Sequence, residues 1–511
     1  MRAVEILGIR QARAWEVASL NEFRRHFGLK PHETFESISS DPVVAEQLKH
    51  LYESPDKVEL YTGLVAEDAK LPMTNGDPVG VGFCPTYTIG RAILSDAVAT
   101  VRGDRFYTVD YNPKNLTNWG YTEVQHDYNT DQGSSFYKLF IRALPQHFAA
   151  NSIYAHAPMT TPEENRKIMR DLGRESHYSW ERPARKSAPI VIRNYHTIRQ
   201  VLGDSGRFKA PWAGAMKYVF GAQRFMSSGD IKVHDQVREQ MSGVLYHKGW
   251  QQHIKEYYDS IAADLIEKHS CKIGNVQQID VVRDFITIAP IHFASEIFAL
   301  PLKSEKHPRG IYTAHEMYLV IAAVWTLVFA DLDPVKTFPL ALTVQPLVTQ
   351  LSEVMTLNVK WLNSSSFLSS LLDKFRHDQG PLSDYGANMI RRMLESGQTV
   401  EEVVNGKLLP MVVDMAPQQG RVMSDVLEYY LLLDGKKHWL DIQRLAKTDT
   451  PDADEQILRY IMEGLRLNGT FGAARVAQTK CTLNDEGFSG TVNLESGDKV
   501  LMSFVSIELN L

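Results

Sequence analysis

Apolar residues along this chain recur mostly three and four positions apart, the spacing of helices, and alternate only near the end. Residues Ala3 to Phe27 read as a helix whose apolar face carries Val4, Ile6, Leu7, Trp15, Leu20 and Phe23. Val43 to Tyr52 and Ile89 to Arg102 read as further helices, with a Gly- and Pro-rich loop from Leu71 to Pro85 between them. A short strand, Pro189 to Arg193, precedes a helix at Tyr195 to Leu202. Helical patterns then follow at His234–Tyr246, Gln251–His269, Val281–Ala299, Ala314–Ala330, Ala341–Phe375, Tyr385–Ser396 and Arg421–Leu433. Ala474 to Thr482 and Val500 to Ile507 alternate like strands, with glycine-containing turns between them. The fold class these periods predict is mainly α with a small C-terminal sheet.

Composition narrows the class of protein. At roughly 150 residues per domain, the 511 residues suggest two or three domains. Apolar residues make up 44% and charged residues 23%, ordinary for a globular protein, and the net charge of −6 asks for no nucleic-acid partner. Cys84, Cys271 and Cys481 are too few and too scattered for a disulfide framework, which favours a reducing compartment. The N-terminal helix carries Arg2, Glu5, Arg10, Arg13 and Glu16, so it does not read as a signal peptide. The longest apolar run, Met317 to Ala330, is too short to span a bilayer and reads as a buried core helix. A soluble or peripheral protein is expected.

No phosphate-binding glycine loop, nucleophile elbow or His-Glu-x-x-His helix is present, and the 17 histidines are scattered without metal-ligand spacing. His234 and Arg238 sit four apart on the polar side of a helix, a spacing that suits an anionic partner such as a haem propionate or, equally, a solvated face. Glu463 and Arg466 form a buildable i,i+3 ion pair, followed by a turn and a strand carrying Arg475. Gln418 and Gln419, after Pro417, place adjacent amides at the expected start of a helix. There they either handle an oxygen intermediate or cap and line the helix.

Two segments carry a family resemblance. Residues Ile9 to Glu67, with Arg13-Ala14-Trp15, Ser19 to Arg25 and Pro55 to Leu64, resemble the C-terminal part of the haem peroxidase–cyclooxygenase superfamily. Ala97 to Gly120 resembles the closing segment of its fungal branch. From about Ser135 the chain resembles the cytochrome P-450-like half of fungal fatty-acid oxygenase fusions, the psi-factor-producing oxygenases and linoleate diol synthases. The residues concerned are Ser152 to His156 with Pro158-Met159, Ser228-Gly229-Asp230 with His234, Ala330 to Pro334, and Glu463 to Arg466 with Arg475.

The resemblance implies a division into a peroxidase remnant (1–125), a connection (126–160) and a P-450-like part (161–511) lacking its haem-thiolate segment. It implies haem-dependent dioxygenation of an unsaturated C18 fatty acid, and rearrangement of the hydroperoxide by the second part. By it, Gln418 and Gln419 are the catalytic amides, while His234, Arg238, Glu463, Arg466 and Arg475 serve haem binding. No residue is assigned to a metal. The family's peroxidase histidines and catalytic tyrosine would lie upstream of Met1 and its P-450 cysteine downstream of Leu511, so a chain shortened at both ends is expected. The diol synthases carry Ala-Asn with a later Gln where this chain has Pro417-Gln418 and Arg421. A dioxygenase with a silent second half, or a silent fragment acting as a lipid-binding or heteromeric partner, is therefore a parallel reading. The expected location is the cytoplasm or the periphery of lipid bodies and membranes, and a homo-oligomer stays open.

Overall fold

The computed structural model describes residues 2–68, 86–127, 136–185, 188–221, 225, 231–304, 310–330, 334–363, 382–469, 472–487 and 489–504. The expected loop at Leu71 to Pro85 with Cys84, Ser228-Gly229-Asp230, Asp331 to Asp333 and the end of the last strand lie outside the described residues, as does the latter part of the Ala341–Phe375 pattern. The chain divides into two compact units, residues 1–183 and 184–511.

The first unit is helical: α1 (Arg2–Ala14), α2 (Leu20–His26), α3 (Pro42–Leu51), α4 (Leu60–Ala66), α5 (Tyr87–Gly103), α6 (Pro113–Glu123), α7 (Phe136–Ala143), α8 (Ile153–His156) and α9 (Pro162–Asp171). The single helix expected from Ala3 to Phe27 is two. Glu16 takes a left-handed conformation, φ 51°, and Ser19 opens α2 with a capping box to Glu22. That cap satisfies two orphan amide donors and outweighs the continuity of the apolar pattern. Leu20, Ile38 and Val58 are fully buried in a small core. Beside it, the Arg24 guanidinium is buried against Glu67, whose carboxylate also accepts from Thr88 Oγ1 (2.6 Å) and meets His32 Nε2 at 2.9 Å.

The second unit carries the larger core. Its helices are α10 (Tyr195–Gly203), α11 (Ala213–Phe220), α12 (Ile231–Leu245), α13 (Trp250–His269), α14 (Ala289–Ile297), α15 (Ala314–Phe329), α16 (Pro334–Asn363), α17 (Ser383–Glu395), α18 (Val400–Val403), α19 (Leu409–Leu432), α20 (Trp439–Ala446) and α21 (Pro451–Asn468). Met317, Ile321 and Val324 of α15 are fully buried against Val412, Val413 and Ala416 of α19, as the apolar run at 317–330 predicted. Gly386 lets α17 cross close to α14, since a Cβ there would meet the Glu296 carbonyl oxygen at 2.6 Å.

Among the described residues of this unit the strands are β1 (Ile190–Ile192), β2 (Phe208–Lys209), β3 (Cys271–Ile273), β4 (Val276–Gln278), β5 (Gly472–Ala477), β6 (Cys481–Asp485), β7 (Gly490–Leu494) and β8 (Lys499–Ser503). The order β1-β8-β5-β2 joins the two ends of the unit in one sheet, with β1 parallel to β8 and the other pairs antiparallel. The mainly α fold with a small sheet is thus what the sequence periods predicted.

Candidate functional site

Helix α19 builds one wall of a cavity of about 510 Å³. Two rows of residues four apart face it: Asp414, Gln418 and Val422, and beside them Met415, Gln419 and Met423. A helix stacks such positions on one face, so six side chains from three turns line a single surface. The facing wall comes from Phe285 and Ile286 in a π-helical turn (Val282–Ile286) and from Ala289 and Pro290 at the start of α14. Tyr258 of α13 closes one side. The lining is mainly apolar with three hydrogen-bonding side chains from α19, the composition of a site for an apolar ligand bearing few polar groups.

The amides were expected at a helix start; they lie in the middle of α19. The Pro417 signal misleads because the proline sits inside the helix, fully buried, where it removes one amide donor without ending the element. The true start is Leu409-Pro410, preceded by a second π-helical turn, Val404–Leu408. Gln418 Nε2 donates to Asp414 Oδ1 at 2.7 Å, and Gln419 Oε1 accepts from the Tyr258 hydroxyl at 2.9 Å. Each amide is fixed by a partner, with Gln418 tied along its own helix and Gln419 tied to the neighbouring one. Burial pushes the Asp414 carboxyl and the Tyr258 hydroxyl up from their ordinary ranges. Arg421 bonds Asp425 at 3.0 Å and does not line the cavity.

The other expected site residues do not line this cavity. Arg466 grips Glu463 through two hydrogen bonds, 2.7 and 2.6 Å, and both are exposed. The Arg466 guanidinium holds the Glu463 carboxyl below its usual range. Gly464, between them, allows α21 to pack on α19, since a Cβ there would meet the Tyr430 ring at 2.8 Å. His234 Nδ1 lies 3.0 Å from Asp235 Oδ1, and Arg238 is exposed one turn on. Arg475, on β5, is half-buried; burial lowers its pKa, and among the described residues no acid pairs with it.

Haem, which the resemblance implies, needs an axial donor to iron and cations for its propionates. Arg475 fits the propionate role, having a half-buried charge without an acidic counterpart. Neither described cysteine fits the axial one. Cys271 is exposed on the β3–β4 hairpin, and burial pushes the Cys481 thiol up, away from the thiolate form. Sequence reasoning missed Tyr258, Asp414 and the π turn at Val282–Ile286. Only Asp414 carried a signal, its i,i+4 spacing from Gln418.

The second unit is thus α-rich, with a mainly apolar cavity and few fixed polar groups. Residues 5–130 match the animal haem peroxidase family. Linoleate 10R-lipoxygenase of Aspergillus fumigatus is 46% identical over 509 residues, covering 99% of this chain and 45% of the relative. Psi-producing oxygenase A of Emericella nidulans is 43% identical, with coverage of 99% and 47%. The 7,8-linoleate diol synthase of Pyricularia oryzae is 36% identical, with coverage of 95% and 46%. The chain is similar to these fungal oxygenases over nearly all of its own length and spans about half the length of these relatives. Among solved structures, a retinoic acid bound cyanobacterial cytochrome P450 aligns with a TM-score of 0.42 at 13% identity, covering 62% of this chain and 66% of that one. Among the described residues no helix is long and apolar enough to cross a membrane.

Proposed function

We propose that this chain is part of a haem-dependent oxygenase of linoleate-type fatty acids in oxylipin biosynthesis, and that the α19 cavity holds the C18 lipid or its hydroperoxide. The single observation that carries this reading is the cavity itself, which combines an apolar lining with the fixed amides Gln418 and Gln419. In it, the apolar walls take the hydrocarbon chain, and the two amides orient an oxygen function along it. Haem, when bound by such oxygenases, supplies the one-electron chemistry on the lipid. On this reading residues 1–125 belong to the peroxidase part and 161–511 to the P-450-like part, and Arg475 receives a propionate. On the same reading the protein works in the cytoplasm or at the periphery of lipid bodies and membranes.

Isothermal titration of the 511-residue chain with linoleic acid tests the reading. Saturable binding that Val422→Trp weakens by about tenfold or more is expected, as the indole fills the middle of the α19 wall. Binding that ignores Val422→Trp contradicts it.

A second reading, in which the lipid is bound but its hydroperoxide is not rearranged, is favoured by Arg421, which pairs with Asp425 where the resemblance to the diol synthases implies Gln. The relative named linoleate 10R-lipoxygenase also supports it. Haem-supplemented chain incubated with the fatty-acid hydroperoxide separates the two: diol products favour rearrangement, and recovered hydroperoxide favours the silent second half.

A further inference from the structure

Asp414 is the acidic residue lining the cavity, one turn before Gln418. Its Oδ1 accepts from Gln418 Nε2 at 2.7 Å, and no other side chain among the described residues bonds it. Its carboxyl is pushed up by burial. Among the described residues no Arg, Lys or His lines the cavity. The cations nearest in sequence to its walls are engaged elsewhere, Arg283 with Asp284 at 2.8 and 2.7 Å and Arg421 with Asp425 at 3.0 Å.

This arrangement discriminates between the two ends of an oxygenated fatty acid. A ligand carboxylate placed at Asp414 would bring a second acid into a half-buried site with no counter-charge. A hydroxyl or hydroperoxyl partway along an apolar chain meets no such opposition. It can donate to one carboxyl oxygen or accept the acid's proton, while Gln418 holds the other oxygen still.

We propose that Asp414 and Gln418 form a clamp for the neutral oxygen function of an oxygenated C18 fatty acid, binding it with its carboxylate directed away from α19. The proposal rests on the reading that the cavity holds a C18 lipid, and adds to it the selecting residue and the ligand's orientation.

Calorimetric titration of the full chain with linoleic acid and with a monohydroxylated linoleic acid tests it. The hydroxylated acid is expected to bind about tenfold more tightly, the worth of one well-made hydrogen bond. Asp414→Asn, which keeps a donor and an acceptor, is expected to retain the preference. Asp414→Leu is expected to erase it and to leave linoleic acid affinity in place. Equal affinity of the unaltered chain for the two acids overturns the proposal, as does loss of the preference in Asp414→Asn or its survival in Asp414→Leu. In each of those cases the cavity reading stands. Failure of either acid to bind the unaltered chain overturns both. If Asp414→Leu does not fold, the unaltered chain and Asp414→Asn still decide.

Discussion

Helices α19 and α21 pack on each other, with the Tyr430 hydroxyl donating to the Tyr460 carbonyl oxygen at 2.6 Å, and each carries polar residues at helical spacing. On α19, Asp414, Gln418 and Gln419 face a cavity, each bonded to one partner, with the Asp414 carboxyl pushed up by burial. On α21, Glu463 and Arg466 bond each other twice and stand in solvent. Similar spacing yields opposite chemistry because the surroundings differ. In solvent a paired charge is screened and close to neutral in its effect; in a cavity a single carboxyl changes what can bind. Helical spacing therefore does not by itself set the chemistry of a polar pair; its surroundings do.

Substitutions across buried and exposed groups sharpen that contrast. The largest effect is expected in the first unit, where Arg24 is buried against Glu67. Glu67→Ala leaves the guanidinium buried without its carboxylate and is expected to cost at least about 3 kcal/mol in a denaturant titration. Next comes His292 on α14, whose pKa burial lowers to about 4, with Lys268, His269 and His315 adding to the effect. The ordinary value is about 6.5, so the unfolded chain binds more protons between those limits. The stability is complete above about pH 6.5 and lost as pH falls toward 4, with a total of about 3 kcal/mol. His292→Gln is expected to flatten the stability profile across that window. The smallest effect belongs to the exposed pair: Glu463→Gln is expected to leave the thermal midpoint within error. A large loss there would break the contrast between α19 and α21.

Much of the fold was legible in the residues. Helical spacing located α12, α13, α15 and α17 to within a few positions, because their apolar stripes face a common core. What misled was local. Pro417 suggested a helix start, yet tertiary packing holds it inside α19, and Ser19 broke a helix that the apolar pattern ran through. The two π-helical turns, of which Val282–Ile286 lines the cavity, leave no mark in hydrophobic spacing, since they shift a helix by one residue without changing its composition. The amides were readable as candidates. Asp414 lies one helical turn from Gln418, but Tyr258, the partner of Gln419, comes from 161 residues away in the chain, where no spacing rule reaches.

The central claim is that a C18 lipid occupies the α19 cavity and not the apolar faces that the first unit leaves in solvent, such as Leu7 and Trp15, exposed by 64% and 70%. Photolabelling the chain with a C18 fatty acid bearing a diazirine, followed by mass-spectrometric mapping, tests it most directly. Adducts confined to residues 414–423 and 285–290, competed by linoleic acid, are the expected result. Adducts on α1 or α5, with α19 unlabelled, would contradict it.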